Sequence, residues 1–132
     1  MVLANGVFDL LHVAHLRHLE EARAMGDCLV VGLTRDSAVG KGAGRPVTPE
    51  NERKELLMGL RCVSAVTLCN DAIEALEAWT PAILAKGHDR REIGLLPEEL
   101  AYCAAHGIEI RYTRPNPQTT SAIIERIRND RS

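Results

Sequence analysis

Asn5-Gly6-Val7-Phe8-Asp9-Leu10-Leu11-His12-Val13-Ala14-His15 joins an apolar run, Val2 to Ala4, to a stretch in which Val13, Leu16, Leu19 and Met25 recur on one side. An apolar run, a turn and a stripe of 3.6-residue period read as a strand leading into a helix, and Gly26 is placed to end that helix. The alternation continues outward from there. Further strands are expected at Cys28 to Leu33, Ala65 to Leu68, Ala82 to Ala85 and Ile108 to Arg111. Thr48, Pro49 and Glu50 supply an N-cap, a first-turn proline and an acid near the positive helix end, which predicts a helix from Pro49 to about Leu60. Asp71 caps a short helix limited by Pro81, and Pro97 to His106 forms another, closed by Gly107. A last helix follows Arg114 to Gln118, with Ile123, Ile124 and Ile127 as its buried stripe. Strands alternating with helices predict an α/β three-layer sandwich around a five-stranded parallel sheet. In such sheets ligands bind beyond the carboxyl ends of the strands, where the strand order reverses.

The 132 residues are 45% hydrophobic and 26% charged, which suits one domain over residues 1–132. A chain of this length can bury about two-thirds of its unfolded surface without staples. The formal net charge of −2, with no block of like charge, argues against nucleic acid as a partner. No apolar run approaches the roughly 20 residues of a spanning helix, and no basic leader with a cleavage site opens the sequence. A cytoplasmic protein with no membrane partner is therefore expected. Cys28, Cys62, Cys69 and Cys103 form no CxxC pair and fall in strand-like or helix-like segments, as free core thiols do.

His12 and His15, three apart at a helix N-terminus, project from nearly one face. Unpaired N–H groups and partial positive charge make that helix end a phosphate site. Two imidazole donors there can stabilise a phosphoryl group in transfer, each worth about 3 kcal/mol in the transition state. Gly6 allows a tight turn beside a ligand, and Asn5 lies at the strand tip. Zinc chemistry of the metallopeptidase type requires i, i+4 spacing with an intervening glutamate, whereas Val13 and Ala14 intervene here. No protein-held metal is expected. His18, one turn further on, reads as a solvated neighbour. A dinucleotide-binding oxidoreductase lacks its GxGxxG after the first strand.

Gly6 to His15, GVFDLLHVAH, resembles the GxFDxxHxGH signature of the cytidylyltransferase-like nucleotidyltransferases. The resemblance implies a Rossmann-like sheet and two histidines lining the α-phosphate of a nucleoside triphosphate. Gly6, Val7 and Phe8 then fall on the nucleotide side and Asp9 on the substrate side. Ala14 stands where the family has glycine. The loop Gly40-Lys41-Gly42-Ala43-Gly44-Arg45-Pro46-Val47 does not fit a Walker A motif, which must open a helix. With the Arg53 that follows it, this region resembles bacterial heptose-phosphate adenylyltransferases, and the resemblance gives Lys41 a phosphate contact. Leu60 to Val66 occupies the place of a family run that keeps Arg61 but has Ser64 for aspartate and Cys62 for tyrosine, a departure from the glycerol-phosphate and choline-phosphate enzymes. Lys86-Gly87-His88-Asp89 resembles the KGGDY-type motif of the heptose branch, with Lys86, Gly87 and Asp89 as acceptor contacts. Thr119, Thr120 and Ser121 open the last helix and resemble the family's hydroxyl-rich signature, suited to the β- and γ-phosphates.

These motifs point to a nucleotidyltransferase that passes a nucleoside monophosphate, AMP from ATP, to a heptose-type sugar phosphate. Pyrophosphate leaves, and Mg²⁺ is bound through the nucleotide phosphates. His12, His15 and Lys41 are the catalytic candidates, with Arg53 and Arg61 as supporting cations. Glycerol 3-phosphate with CTP is the alternative, and a nucleotide-binding module without turnover is another. One tryptophan, two tyrosines and one phenylalanine leave few rings to grip a base. The resemblance also implies a homodimer.

Overall fold

The computed structural model describes residues 1–40, 46–87, 96–114 and 127. Among them, strands β1 (Val2–Gly6), β2 (Leu29–Thr34), β3 (Ala65–Cys69), β4 (Ile83–Lys86) and β5 (Glu109–Tyr112) alternate with helices α1 (Val13–Arg23), α2 (Glu50–Met58), α3 (Ala72–Trp79) and α4 (Pro97–His106). Every pairing is parallel and the order is β3-β2-β1-β4-β5. The chain moves outward from β1 through β2 and β3, then returns to β4 on the other side of β1. The order therefore reverses between β1 and β4.

The apolar runs are continuous because the central strands are covered on both faces. Val2, Ala4, Val31 and Leu33 pack against Leu19 and Ala22 of α1 and Leu57 of α2. Leu3, Val30 and Leu84 pack against Ala75 and Leu76 of α3 and Cys103 of α4. The expected three-layer sandwich with a five-stranded parallel sheet is the fold found. All four cysteines are free, Cys69 and Cys103 in the core, and burial pushes the Cys69 thiol up to about 11.

Local signals acted as expected at two helix ends. Asp71 accepts the Glu74 N–H at 2.9 Å to cap α3, and Gly107, at φ 66°, ends α4. Elsewhere tertiary contacts took over. α1 stops at Arg23 with Ala24 as its C-cap, before Gly26. A side chain at Gly26 would come within 2.8 Å of Val2, so close approach to β1 is what this glycine permits. Thr48 is not the N-cap of α2. Pro49 holds that position, the Thr48 N–H donates to Asp9, and the Glu50 N–H at the helix start is satisfied by Asp36 at 3.2 Å. Of the predicted last helix only Ile127 is described; it is helical and 57% exposed, not part of a buried stripe. Spacing tells which residues share a face, and not whether anything covers it.

Candidate active site

The turn from β1 to α1 holds Phe8 at φ 50° and Leu10 at φ 52°, left-handed conformations in non-glycine residues. Each costs about 1–2 kcal/mol and persists only where its surroundings impose it. Here they do. The Phe8 ring is buried against Gly6, where a Cβ would lie 3.0 Å from it, and meets the His15 ring edge-on at 5.4 Å. Asp9, 2% exposed, accepts the N–H groups of Val47 and Thr48 at 2.8 and 2.9 Å. The Val7 carbonyl accepts Arg53 Nη1 at 2.6 Å. The turn is thus tied to the segment that enters α2.

The turn delivers two histidines into the first turn of α1 as its cap. His12 is the N-cap, and its Nδ1 accepts the Ala14 N–H at 3.2 Å. His15, three residues on, accepts the His12 N–H on its own Nδ1 at 3.3 Å. This is the reciprocal logic of the Ser/Thr-x-x-Glu capping box, built from imidazoles. The rings stack at 3.9 Å and 20°. A lone pair used at Nδ1 leaves the proton of a neutral ring on Nε2, so both rings are set as Nε2–H donors. His12 Nε2 is buried with no partner among the described residues. Burial also holds the His12 pKa below the ordinary histidine value, which keeps the ring neutral.

Beside them, Lys86 ends β4 next to β1. Its Nζ donates to Asn5 Oδ1 at 2.8 Å and pairs with Glu99 Oε1 of α4 at 3.0 Å, both charged residues being 7% exposed. Its carbonyl accepts the Thr113 N–H at 2.9 Å and the Thr113 hydroxyl at 3.4 Å. Thr113 in turn shares a 2.6 Å hydrogen bond with Nδ1 of His18. His18 is therefore a strut from α1 to the end of β5, and not the solvated neighbour that its spacing suggested.

Gly6, Val7, Phe8, Asp9, His12, His15, Lys86 and the half-buried Gly87 all gather at the carboxyl ends of β1 and β4. Two expected cations do not belong with them. Arg53 is 1% exposed and donates to Val7, to the Thr48 carbonyl at 2.9 Å and to Asp36, so it clasps the loops from within the protein. Arg61 precedes Ser64, whose N–H donates at 2.8 Å to Leu29, the first residue of β2. That puts Arg61 at the amino end of the sheet, opposite the histidines, because a crossover helix carries the chain back to the far edge before the next parallel strand. The Cys62 and Ser64 departures lie at that far end too. Asp9 has both oxygens engaged by backbone in the turn, so its direct role is to position the Val47 segment. Lys41, Asp89, Thr119, Thr120 and Ser121 lie outside the described residues.

Glu99 is what the motif reading passed over, and Asn5, noted only at the strand tip, proves to be its fellow partner of Lys86. Glu99 shares the buried side of α4 with Cys103, four residues on, and an acid on a core-facing stripe is the signal that could have found it.

A parallel sheet with a phosphate-suited helix end at its reversal point defines the class, and the family model described as cytidylyltransferase-like matches residues 3–106. The chain belongs to the cytidylyltransferase-like family, which bears out the expectation of a nucleotidyltransferase. It is 39% identical, over 96% of its length, to the "Bifunctional protein HldE" of Citrifermentans bemidjiense, and 39% identical over 97% to the protein of that name from Helicobacter pylori. The chain spans 27% of the length of each of these relatives. Among solved structures, the lipopolysaccharide core biosynthesis protein of Thermoplasma volcanium is 31% identical with a TM-score of 0.70, over 89% of this chain and 97% of that one.

Proposed function

We propose that this chain, as one domain, transfers AMP from ATP to a heptose-type sugar phosphate. An oxygen of the acceptor phosphate attacks the α-phosphorus in line, a new P–O bond forms, the bond to the bridging oxygen breaks, and pyrophosphate leaves with its electron pair. The acceptor phosphate is ionised at neutral pH, so no general base is needed. The observation that carries the reading is the histidine cap: two stacked imidazoles that each use Nδ1 within the helix start, with His12 Nε2 buried and without a partner among the described residues, at the point where strand order reverses. In the transition state charge collects on the equatorial oxygens of the α-phosphoryl group, and donors already oriented need no reorganisation to meet it. Lys41, Thr119, Thr120 and Ser121 hold the leaving pyrophosphate. The sugar-phosphate acceptor rests on the KG-x-D motif and on the likeness to proteins named HldE and to a lipopolysaccharide core biosynthesis protein.

Imidazole N–H, ammonium and backbone N–H groups suit phosphate oxygens, and among the described residues no group of three or more His, Cys, Asp and Glu could hold a metal ion. That donor set fits an Mg²⁺ carried in by the nucleotide, where it neutralises phosphate charge. No helix among the described residues is long and apolar enough to cross a membrane. The reading places the enzyme in the cytoplasm as a dimer, with the exposed Leu96 and Leu100 at the start of α4 as apolar surface for a second copy.

The test is pyrophosphate release with Mg²⁺, crossing ATP, CTP, GTP and UTP against heptose 1-phosphate, glycerol 3-phosphate and phosphoethanolamine. ATP with heptose 1-phosphate is the expected active pair. Activity with CTP and glycerol 3-phosphate instead replaces the substrate assignment, and triphosphate binding without turnover across the grid replaces the enzyme with a nucleotide-binding module.

A further inference from the structure

The pair formed by Lys86 and Glu99 lacks a structural justification of its own. Burying two charges costs desolvation that an apolar pair of similar volume avoids, so such a pair is weak support for a fold. The end of β4 is already secured without it, since its main chain pairs with β1 and β5 and the Lys86 carbonyl is capped by Thr113. The pair stands at the strand-order reversal, one strand from the histidine cap. An ammonium has three N–H donors, and Asn5 and Glu99 take two of them. Among the described residues one donor is left, on a side chain whose direction is set by two partners.

Alternation along the strands puts this donor on the α3 and α4 side of the sheet, with Leu84 and Leu3, whereas the histidines cap a helix of the other layer. The acceptor is assigned to this β4 side because Lys86 and Gly87 begin the KG-x-D run that resembles the heptose branch.

We propose that Glu99 is a positioning residue, which fixes the Lys86 ammonium between β1 and β4 so that its remaining N–H meets the phosphate of the acceptor. The inference rests on the nucleotidyltransferase reading above. Ordering a long, flexible lysine in advance lowers the cost of binding and aligning the nucleophile.

The experiment compares wild type, Glu99→Gln, Glu99→Ala and the double variant Lys86→Met/Glu99→Leu. Steady-state pyrophosphate release is measured with ATP and heptose 1-phosphate, and heptose 1-phosphate binding is measured by calorimetry. Glu99→Ala should raise the KM for heptose 1-phosphate at least tenfold and leave the KM for ATP within twofold. Glu99→Gln keeps a hydrogen-bond acceptor for Lys86 and should recover part of the loss. The double variant removes both charges together, so it should fold with a cooperative transition and yet lose acceptor binding in calorimetry. An unchanged acceptor KM in Glu99→Ala, or full acceptor binding by the double variant, overturns the inference and leaves the enzyme reading standing. A rise in the KM for ATP instead overturns the assignment to the acceptor. A wild type that neither turns over nor binds heptose 1-phosphate removes the substrate reading, and the inference with it.

Discussion

Two clusters of buried polar side chains lie at the carboxyl end of the sheet, and they are built to opposite ends. In the seam between the β1 turn and α2, Arg53 pairs with Asp36, and Arg53 and Asp9 answer the backbone: each guanidinium nitrogen of Arg53 has an acceptor, and both carboxylate oxygens of Asp9 hold N–H groups. At the mouth between β1 and β4, His12 and Lys86 engage only part of their capacity. Among the described residues His12 uses Nδ1 and keeps Nε2, and Lys86 keeps a donor. A buried charge is thus not by itself a sign of a site. What separates the two clusters is their place: Arg53 and Asp9 are sealed between the β1 turn and α2, whereas His12 and Lys86 stand where strand order reverses.

Removing the centre of the closed cluster should have the largest effect. Arg53→Met strips three carbonyl and carboxylate partners at once, and breaking a buried ion network of this kind costs about 3–5 kcal/mol. Urea unfolding should show that loss as a lower midpoint at unchanged slope, and a variant as stable as wild type would break the contrast. At the open cluster, His15→Ala should lower turnover by about a hundredfold, equivalent to roughly 3 kcal/mol of transition-state stabilisation. Its unfolding free energy should fall only by about 1 kcal/mol, the value of a lost cap. Pyrophosphate release at the wild-type rate would remove His15 from the mechanism.

The third expectation concerns pH. Burial lowers the His12 pKa in the folded state, so the unfolded chain takes up that proton first as the pH falls through about 6.5. The stability present above that pH is therefore lost as the pH drops through the lower folded value. Urea midpoints between pH 8 and pH 5 should decline less steeply for His12→Asn, which still supplies a capping oxygen but does not titrate. Parallel declines would place the proton elsewhere. The smallest effect tests strain outside both clusters. Thr80 ends α3 exposed at φ 45°, as left-handed as Phe8 and Leu10 but outside the turn from β1 to α1. Thr80→Gly should stabilise the chain by about 1 kcal/mol with unchanged turnover, because glycine adopts this conformation freely.

The alternation of apolar runs with helical stripes was sufficient for the layers and the parallel sheet, because a βαβ unit has few ways to bury both elements. The GVFDLLHVAH stretch was sufficient for the histidines, since a three-residue spacing at a helix start needs no long-range partner to bring two side chains together. Gly107 and Asp71 were legible for the same local reason. Arg53 and Arg61 were not. Both read as cations in suggestive positions, and only the fold shows one sealed within the α2 seam and the other at the amino end of the sheet. Lys86, 81 residues from Asn5 and 13 from Glu99 in the chain, gains its partners only when β4 settles beside β1 under α4. Sequence by itself determined which groups the molecule owns and which local elements present them. Tertiary structure decided which of those groups are satisfied by the protein and which remain for a substrate, because hydrogen-bond satisfaction depends on neighbours that are distant in the chain and close only after packing.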